Sequence, residues 1–163
     1  MTGSVERSRV LIARGESGEA EALLDAHLQE HPDDEEALLL QAALLLEQRR
    51  DEAALLDFRH AVAVAPDSAR AANGLARCLH ALGRDEEALR AAERGRELLQ
   101  LAANGSEAGP VYLTLLWCLR ALRRLPEAAA VAEEGLARTP DVVLAQWANV
   151  VEEELAEASQ ERC

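Results

Sequence analysis

The chain has 163 residues, of which 49 % are hydrophobic and only 2 % aromatic, and its formal net charge is −13. That length suits one compact domain or a short repeat array. The negative charge repels a phosphate backbone and an anionic lipid surface, so neither nucleic acid nor membrane is an expected partner; it reads as a solvated helix surface.

All 17 basic residues are arginine. Schiff-base chemistry and a phosphate-loop lysine are thereby removed. Arginine and alanine usage together fit a GC-rich bacterial genome. The longest apolar run, Ala37 to Leu46, is broken by Gln41 and is too short to span a bilayer. The start, Met1 to Arg7, lacks the apolar core of a signal peptide, so a cytoplasmic location is expected.

In chain order the sequence repeats. Proline-acid steps stand at Pro32-Asp33, Pro66-Asp67 and Pro140-Asp141. Pro32 and Pro66 are 34 residues apart, and Pro140 follows Pro66 by 74, two periods plus 6. The units are therefore 1–34, 35–68, 69–102 and 109–142, with 103–108 inserted. No strand-like alternation appears, so the fold is all-α, and each unit reads as helix, break, helix. Position 11 of the unit is Leu11, Leu45, Leu79 and Leu119, an anchor for the first helix. Position 20 is Ala20, Ala54, Ala88 and Ala128, small enough for close helix crossing. Position 8 is Ser8, Ala42, Ala76 and Leu116. Asp51 and Asp85 are expected N-caps of second helices, Pro126 a first-turn proline, and Gly15 and Gly83 the intra-hairpin breaks. Pro32, Pro66 and Pro140 end the second helices. Unit 3 has Gln100 in place of that proline, so its second helix should run on to about Ala103. The inserted 103–108, with Asn104-Gly105, reads as a surface loop. Residues 143–160 read as a final capping helix with a stripe of Leu144, Trp147, Val151, Leu155 and Ala158.

The pattern resembles the tetratricopeptide-repeat family. The resemblance is carried by Leu38, Ala42, Leu45, Ala54, Phe58, Ala61 and Pro66 in unit 2, and by Leu75, Ala76, Leu79, Gly83, Ala88 and Gly95 in unit 3. Arg7, His27 and Leu116 depart from it, in the first and last units. The resemblance implies one domain over 1–163, a right-handed α-solenoid of about four hairpins plus a C-terminal capping helix. It also implies that unit positions 2, 5, 9 and 12 face a concave groove. Those positions hold Thr2, Val5, Arg9 and Ile12; then Glu36, Leu39, Ala43 and Leu46; then Arg70, Asn73, Arg77 and His80; then Pro110, Leu113, Trp117 and Arg120.

Unit 2 is apolar on this face, and Arg70, Arg77 and Arg120 put positive charge on one wall of an acidic protein. An acidic peptide or carboxylate fits such a wall. The alternative is that these arginines pair with glutamates of adjacent helices. Trp117 reads as a groove residue, since tryptophan is enriched at interaction hot spots. Trp147 reads rather as packed over unit 4. The family's carboxylate clamp would need lysine, asparagine and arginine where this chain has Val5, Arg9, Leu40, Arg70 and Gly74, or, one unit on, Leu39, Ala43, Gly74, Pro110 and Thr114. Neither set matches, so a chaperone-tail adaptor is not expected.

Enzymatic motifs are absent from the sequence. Cys78 and Cys118 share unit position 10 and read as packed core, too far apart for a disulfide; Cys163 is terminal. His27 and His31 have metal-ligand spacing but no third ligand, while His60 and His80 stand alone, so no metal and no cofactor are expected. The expected function is a non-enzymatic adaptor or scaffold that binds a segment of a partner protein through apolar and acidic residues. The alternative is a dedicated chaperone, since small type III secretion chaperones are similar in size and in the stretch Gly74 to Cys78. A homodimer is possible through the apolar faces of unit 1 and Ala37–Leu46.

Overall fold

A computed structural model describes residues 3–101 and 107–160. Within them lie α1 (Gly3–Ala13), α2 (Ser17–Glu30), α3 (Glu35–Glu47), α4 (Asp51–Val64), α5 (Ala69–Ala81), α6 (Asp85–Leu101), α7 (Ala108–Ala121), α8 (Leu125–Arg138) and α9 (Val142–Gln160), and no strand. The inserted residues 103–106, and the expected run-on of α6 to Ala103, lie outside the described residues. The 17 residues of α6 still exceed the 14 of α2, α4 and α8, each of which stops before a proline.

The same local device closes all four hairpins. At unit position 15 the backbone turns left-handed, at Gly15 (φ 78°), Arg49 (62°), Gly83 (71°) and Arg123 (59°). The next amide then reaches back to the carbonyl of the position-11 leucine: Glu16 to Leu11, Arg50 to Leu45, Arg84 to Leu79 and Arg124 to Leu119, each at 2.9 Å. The left-handed residue itself bonds to Ile12, Leu46, His80 or Arg120, at 2.9–3.0 Å. This is the Schellman pattern. Glycine takes that conformation freely at two turns, and arginine accepts it at the other two.

This turn corrects the expected caps of the second helices. Asp51 and Asp85 are not N-caps; each is the first residue of its helix. The cap is the preceding arginine, because the residue that completes the Schellman bond also offers the first helical carbonyl (Arg50 to Ala54, Arg84 to Ala88). Side-chain caps sit instead on the first helices of units 2 and 3 and on the final helix. Asp34 accepts from the Ala37 amide (3.1 Å), Ser68 from Ala71 (3.1 Å) and Asp141 from Leu144 (2.8 Å). Pro126 does occupy the first turn of α8.

Neighbouring helices pack in chain order. In addition α1, α3, α5, α7 and α9 touch one another in series, whereas no two even helices make comparable contact among the described residues. The odd helices are therefore crowded on the inside of a curved array and the even ones spread on its outside. Small residues permit the close crossings: Ala20, Ala54, Ala88 and Ala128 are fully buried, as are Ser8, Ala42 and Ala76, while unit 4 buries the larger Leu116 at the equivalent place. One core runs from Leu38 to Val151. A separate small cluster of Val5, Leu24 and Ala37 joins the first unit to the start of α3.

Candidate functional site

The inner face follows from helix periodicity. Positions 2, 5, 9 and 12 project from one side of each odd helix, and the odd helices stand together. Three depressions run along that side. The first, about 280 Å³, lies between α1, α3, α5 and α7 and is lined by Arg9, Glu36, Leu39, Leu40, Ala43, Phe58, Arg70, Asn73, Gly74, Arg77, Glu107 and Pro110. The second, about 270 Å³, shares Arg77 and Pro110 with it and adds Leu113, Thr114, Trp117, Asp141 and Val143. The third, about 340 Å³, shares Trp117 with the second and is completed by His80, Arg120, Ala121 and Trp147. Shared walls join them into one trough.

Of the expected groove residues, Leu39, Ala43, Arg70, Asn73 and Arg77 line the first depression, Leu113 the second, and His80, Trp117 and Arg120 the third. Leu46 packs against the core and lines none of them. Leu39 is only 7 % exposed, so it forms floor rather than a free wall. Thr2 lies outside the described residues.

The wall arginines divide into two kinds. Arg9 pairs with Glu36 across the α1–α3 junction. Arg120 grips Glu154 of α9 with a bidentate fork: Nε lies 3.0 Å from both carboxylate oxygens and Nη2 2.5 Å from one. That fork holds the Glu154 carboxyl below its ordinary pKa, against the opposing effect of burial. Arg70 and Arg77 are exposed and have no ion-pair partner among the described residues. Two buried polar atoms on the same wall also lack a hydrogen-bond partner there, Asn73 Oδ1 and Trp117 Nε1. Leaving such an atom unpaired costs about 1–3 kcal/mol.

The tryptophans meet. Trp117 and Trp147 contact edge to face, centroids 6.0 Å apart, and Arg120 lies 5.4 Å over the Trp147 ring. Trp147 does pack over the last hairpin, and it also forms the end wall of the trough. The sequence contained a signal for this: Trp147 and Glu154 fall on positions 5 and 12 of a fifth unit beginning at 143. Phe58 and Gly74 were reachable only through packing, since Phe58 comes from an even helix and reaches the inner face because Gly74 has no side chain.

A separate cavity of about 530 Å³ sits at the α2–α3 turn, beside Val5, His27, His31 and four carboxylates. Of its two imidazoles His27 is engaged, its Nε2 2.9 Å from Asp34, and the His31 ring lies tilted against His27 with centroids 4.9 Å apart; His60 Nε2, from outside the cavity, is 2.8 Å from Asp33. No group of three or more histidine, cysteine or carboxylate side chains could hold a metal among the described residues. Cys78 and Cys118 are buried free thiols, pushed up to about 11 and about 12 by desolvation. No described helix is long and apolar enough to cross a membrane.

The chain is similar to TTC0263, a thermophilic TPR protein of Thermus thermophilus, at 20 % identity and a TM-score of 0.80, over 94 % of this chain and 82 % of that one. It is similar to PilF of Pseudomonas aeruginosa at 17 % identity and a TM-score of 0.81, over 98 % and 71 %. YrrB, described as a TPR protein with an unusual peptide-binding site, aligns at 17 % identity and a TM-score of 0.70, over 94 % and 76 %. At these identities the likeness speaks to fold. No curated protein matches the sequence. The family model of the ChAPs, the Chs5p-Arf1p-binding proteins, matches residues 5–93. With that match over more than half its length, on hairpins closed by a recurring Schellman turn, the chain is a tetratricopeptide-repeat solenoid and belongs to the ChAPs family.

Proposed function

We propose that this protein is a non-enzymatic adaptor whose trough binds an extended segment of a partner protein, with an acidic residue of that segment set against Arg70 and Arg77. The observation that carries the reading is the division among the wall arginines. Arg9 and Arg120 are neutralised by Glu36 and Glu154, while Arg70 and Arg77 stand unpaired among the described residues. In a chain of net charge −13, two free guanidinium groups over an apolar floor of Leu39 and Phe58 favour a carboxylate with apolar neighbours. Glu107 at the rim tempers that field and argues for one acidic residue rather than a run. The relatives support the class of activity: the ChAPs are named for binding Chs5p and Arf1p, and YrrB for a peptide site. A dedicated chaperone would hold its client in the same trough, and a homodimer would have to leave it open.

The test is selection from a displayed random-peptide library on the immobilised protein and on the Arg70→Glu/Arg77→Glu variant. The parent should enrich peptides with Asp or Glu flanked by apolar residues. Because hydrogen bonds to charged groups are worth about 1.5–3 kcal/mol each, the variant should bind those peptides at least roughly tenfold more weakly. Enrichment of the same peptides by both proteins would refute the proposal.

A further inference from the structure

The third depression, at the α9 end of the trough, differs from the rest in chemistry. His80 and Trp117 lie nearly parallel, 19° between planes and 6.5 Å between centroids. Trp147 stands at 80° to Trp117. The charges around these rings are already spent: His80 Nδ1 is 2.5 Å from Asp85 Oδ1, and Arg120 is forked onto Glu154. The cavity thus offers ring faces and edges without a free charge. Both tryptophans of a chain that is only 2 % aromatic line it, which concentrates its aromatic surface at one point.

The geometry points to an aromatic-anchor subsite: this depression takes one uncharged aromatic side chain of the partner segment, within a few residues of the acid that faces Arg77. Rings pair by offset stacking or edge-to-face contact at centroid separations of about 4.5–7 Å, and the perpendicular Trp117–Trp147 pair presents a face and an edge at once. The volume of about 340 Å³ is at the small end of ligand sites, which suits a single side chain. Trp117 also lines the second depression, where Arg77 is the other wall, so one segment can engage both. A second copy of this chain is a poor donor. Tyr112 and Phe58 are buried, both tryptophans already line the site, and the large exposed apolar residues described (Val10, Leu56, Val64, Val142, Val143) are all aliphatic. This inference rests on the trough being the binding site, and it adds the class of residue that the segment must carry.

The test uses the full chain labelled with fluorotryptophan, in which only Trp117 and Trp147 report, and the fragments N-acetyltyrosinamide and N-acetylleucinamide. The tyrosine fragment should shift both fluorine resonances saturably, with a dissociation constant on the order of 1 mM. The leucine fragment should bind at least about threefold more weakly, because aromatic pairing adds to area burial. Trp147→Leu, and separately His80→Ala, each folded by circular dichroism, should weaken the tyrosine fragment several-fold. Equal binding of both fragments, no saturable shift, or binding unchanged in both variants would overturn the subsite. So would resonances that move with protein concentration alongside a doubled mass in light scattering, which would mean that a second copy fills the cavity. The Arg70→Glu/Arg77→Glu variant separates the two readings. It should keep tyrosine-fragment binding while losing acidic peptides. Loss of the fragment response alone removes the subsite and leaves the acidic groove, whereas an intact fragment response with unchanged peptide selection removes the acidic groove and leaves the subsite.

Discussion

Replacing Gly74 by alanine tests the packing that shapes the trough. Gly74 lies within α5, buried against the ring of Phe58 from α4. A Cβ added there would meet Phe58 Cδ1 at 2.6 Å and Cζ at 3.1 Å, closer than carbon atoms approach. Phe58 is 3 % exposed and packed into the core, and only its border with the first depression offers it room to yield. Two terms oppose each other. Alanine in a helix interior is favoured over glycine by about 0.8–1.0 kcal/mol. Overpacking a tight core costs about 1–3 kcal/mol, and a clash with a confined ring belongs at the upper end. The net is a loss of about 1–2 kcal/mol, which for a chain of this size lowers the melting temperature by roughly 2–8 °C. Gly18→Ala is the control, because a Cβ there has nothing within 4 Å and only the helical gain remains. Thermal and urea unfolding followed by far-UV circular dichroism read both variants. A Gly74→Ala protein as stable as the parent, or shifted upward like Gly18→Ala, would refute the claim that Phe58 is wedged against α5.

Asp34 both caps α3 and bonds His27, and the His27 bond is the largest cause of its lowered pKa, opposed by burial and helped by the Ala37 amide. A carboxyl lowered on folding stabilises the protein above its unfolded value, about 3.9, and loses that contribution as pH falls through the folded value. Protection of the Ala37 amide against exchange, corrected for the intrinsic pH dependence, should therefore fall below about pH 4, and Asp34→Ala should bring a loss of about 1 kcal/mol to neutral pH. An unchanged pH profile in that variant would refute the coupling. The buried thiols of Cys78 and Cys118, raised to about 11 and about 12, should not react with a thiol reagent at pH 8 until the chain is unfolded. In a Cys163→Ser variant, rapid modification of either thiol without denaturant would show that the packing around position 10 is open.

Much of the architecture was readable without coordinates. The 34-residue spacing, the helix-ending prolines and the buried position-20 alanines are local or strictly periodic signals, and each carries its own steric reason. Periodicity likewise put Arg70, Asn73, Arg77 and Trp117 on one face, since spacings of three and four residues are fixed by the helix itself. The caps were placed one residue late because the residue that completes the Schellman turn, Arg50 or Arg84, is also the first helical acceptor, and arginine carries no capping side chain to signal it. The identity of the neutralised arginines was not readable at all. Arg9 meets Glu36 and Arg120 meets Glu154 across helix junctions, 27 and 34 residues apart, while Arg70 on the same register meets no partner among the described residues. A helix sets which side of itself a side chain occupies; the distance and rotation between successive hairpins come from how their cores interlock. The repeat register hinted at Trp147 and Glu154 on this face, but which charges pair and how the two tryptophans meet depend on that second geometry, so the tertiary structure decides them.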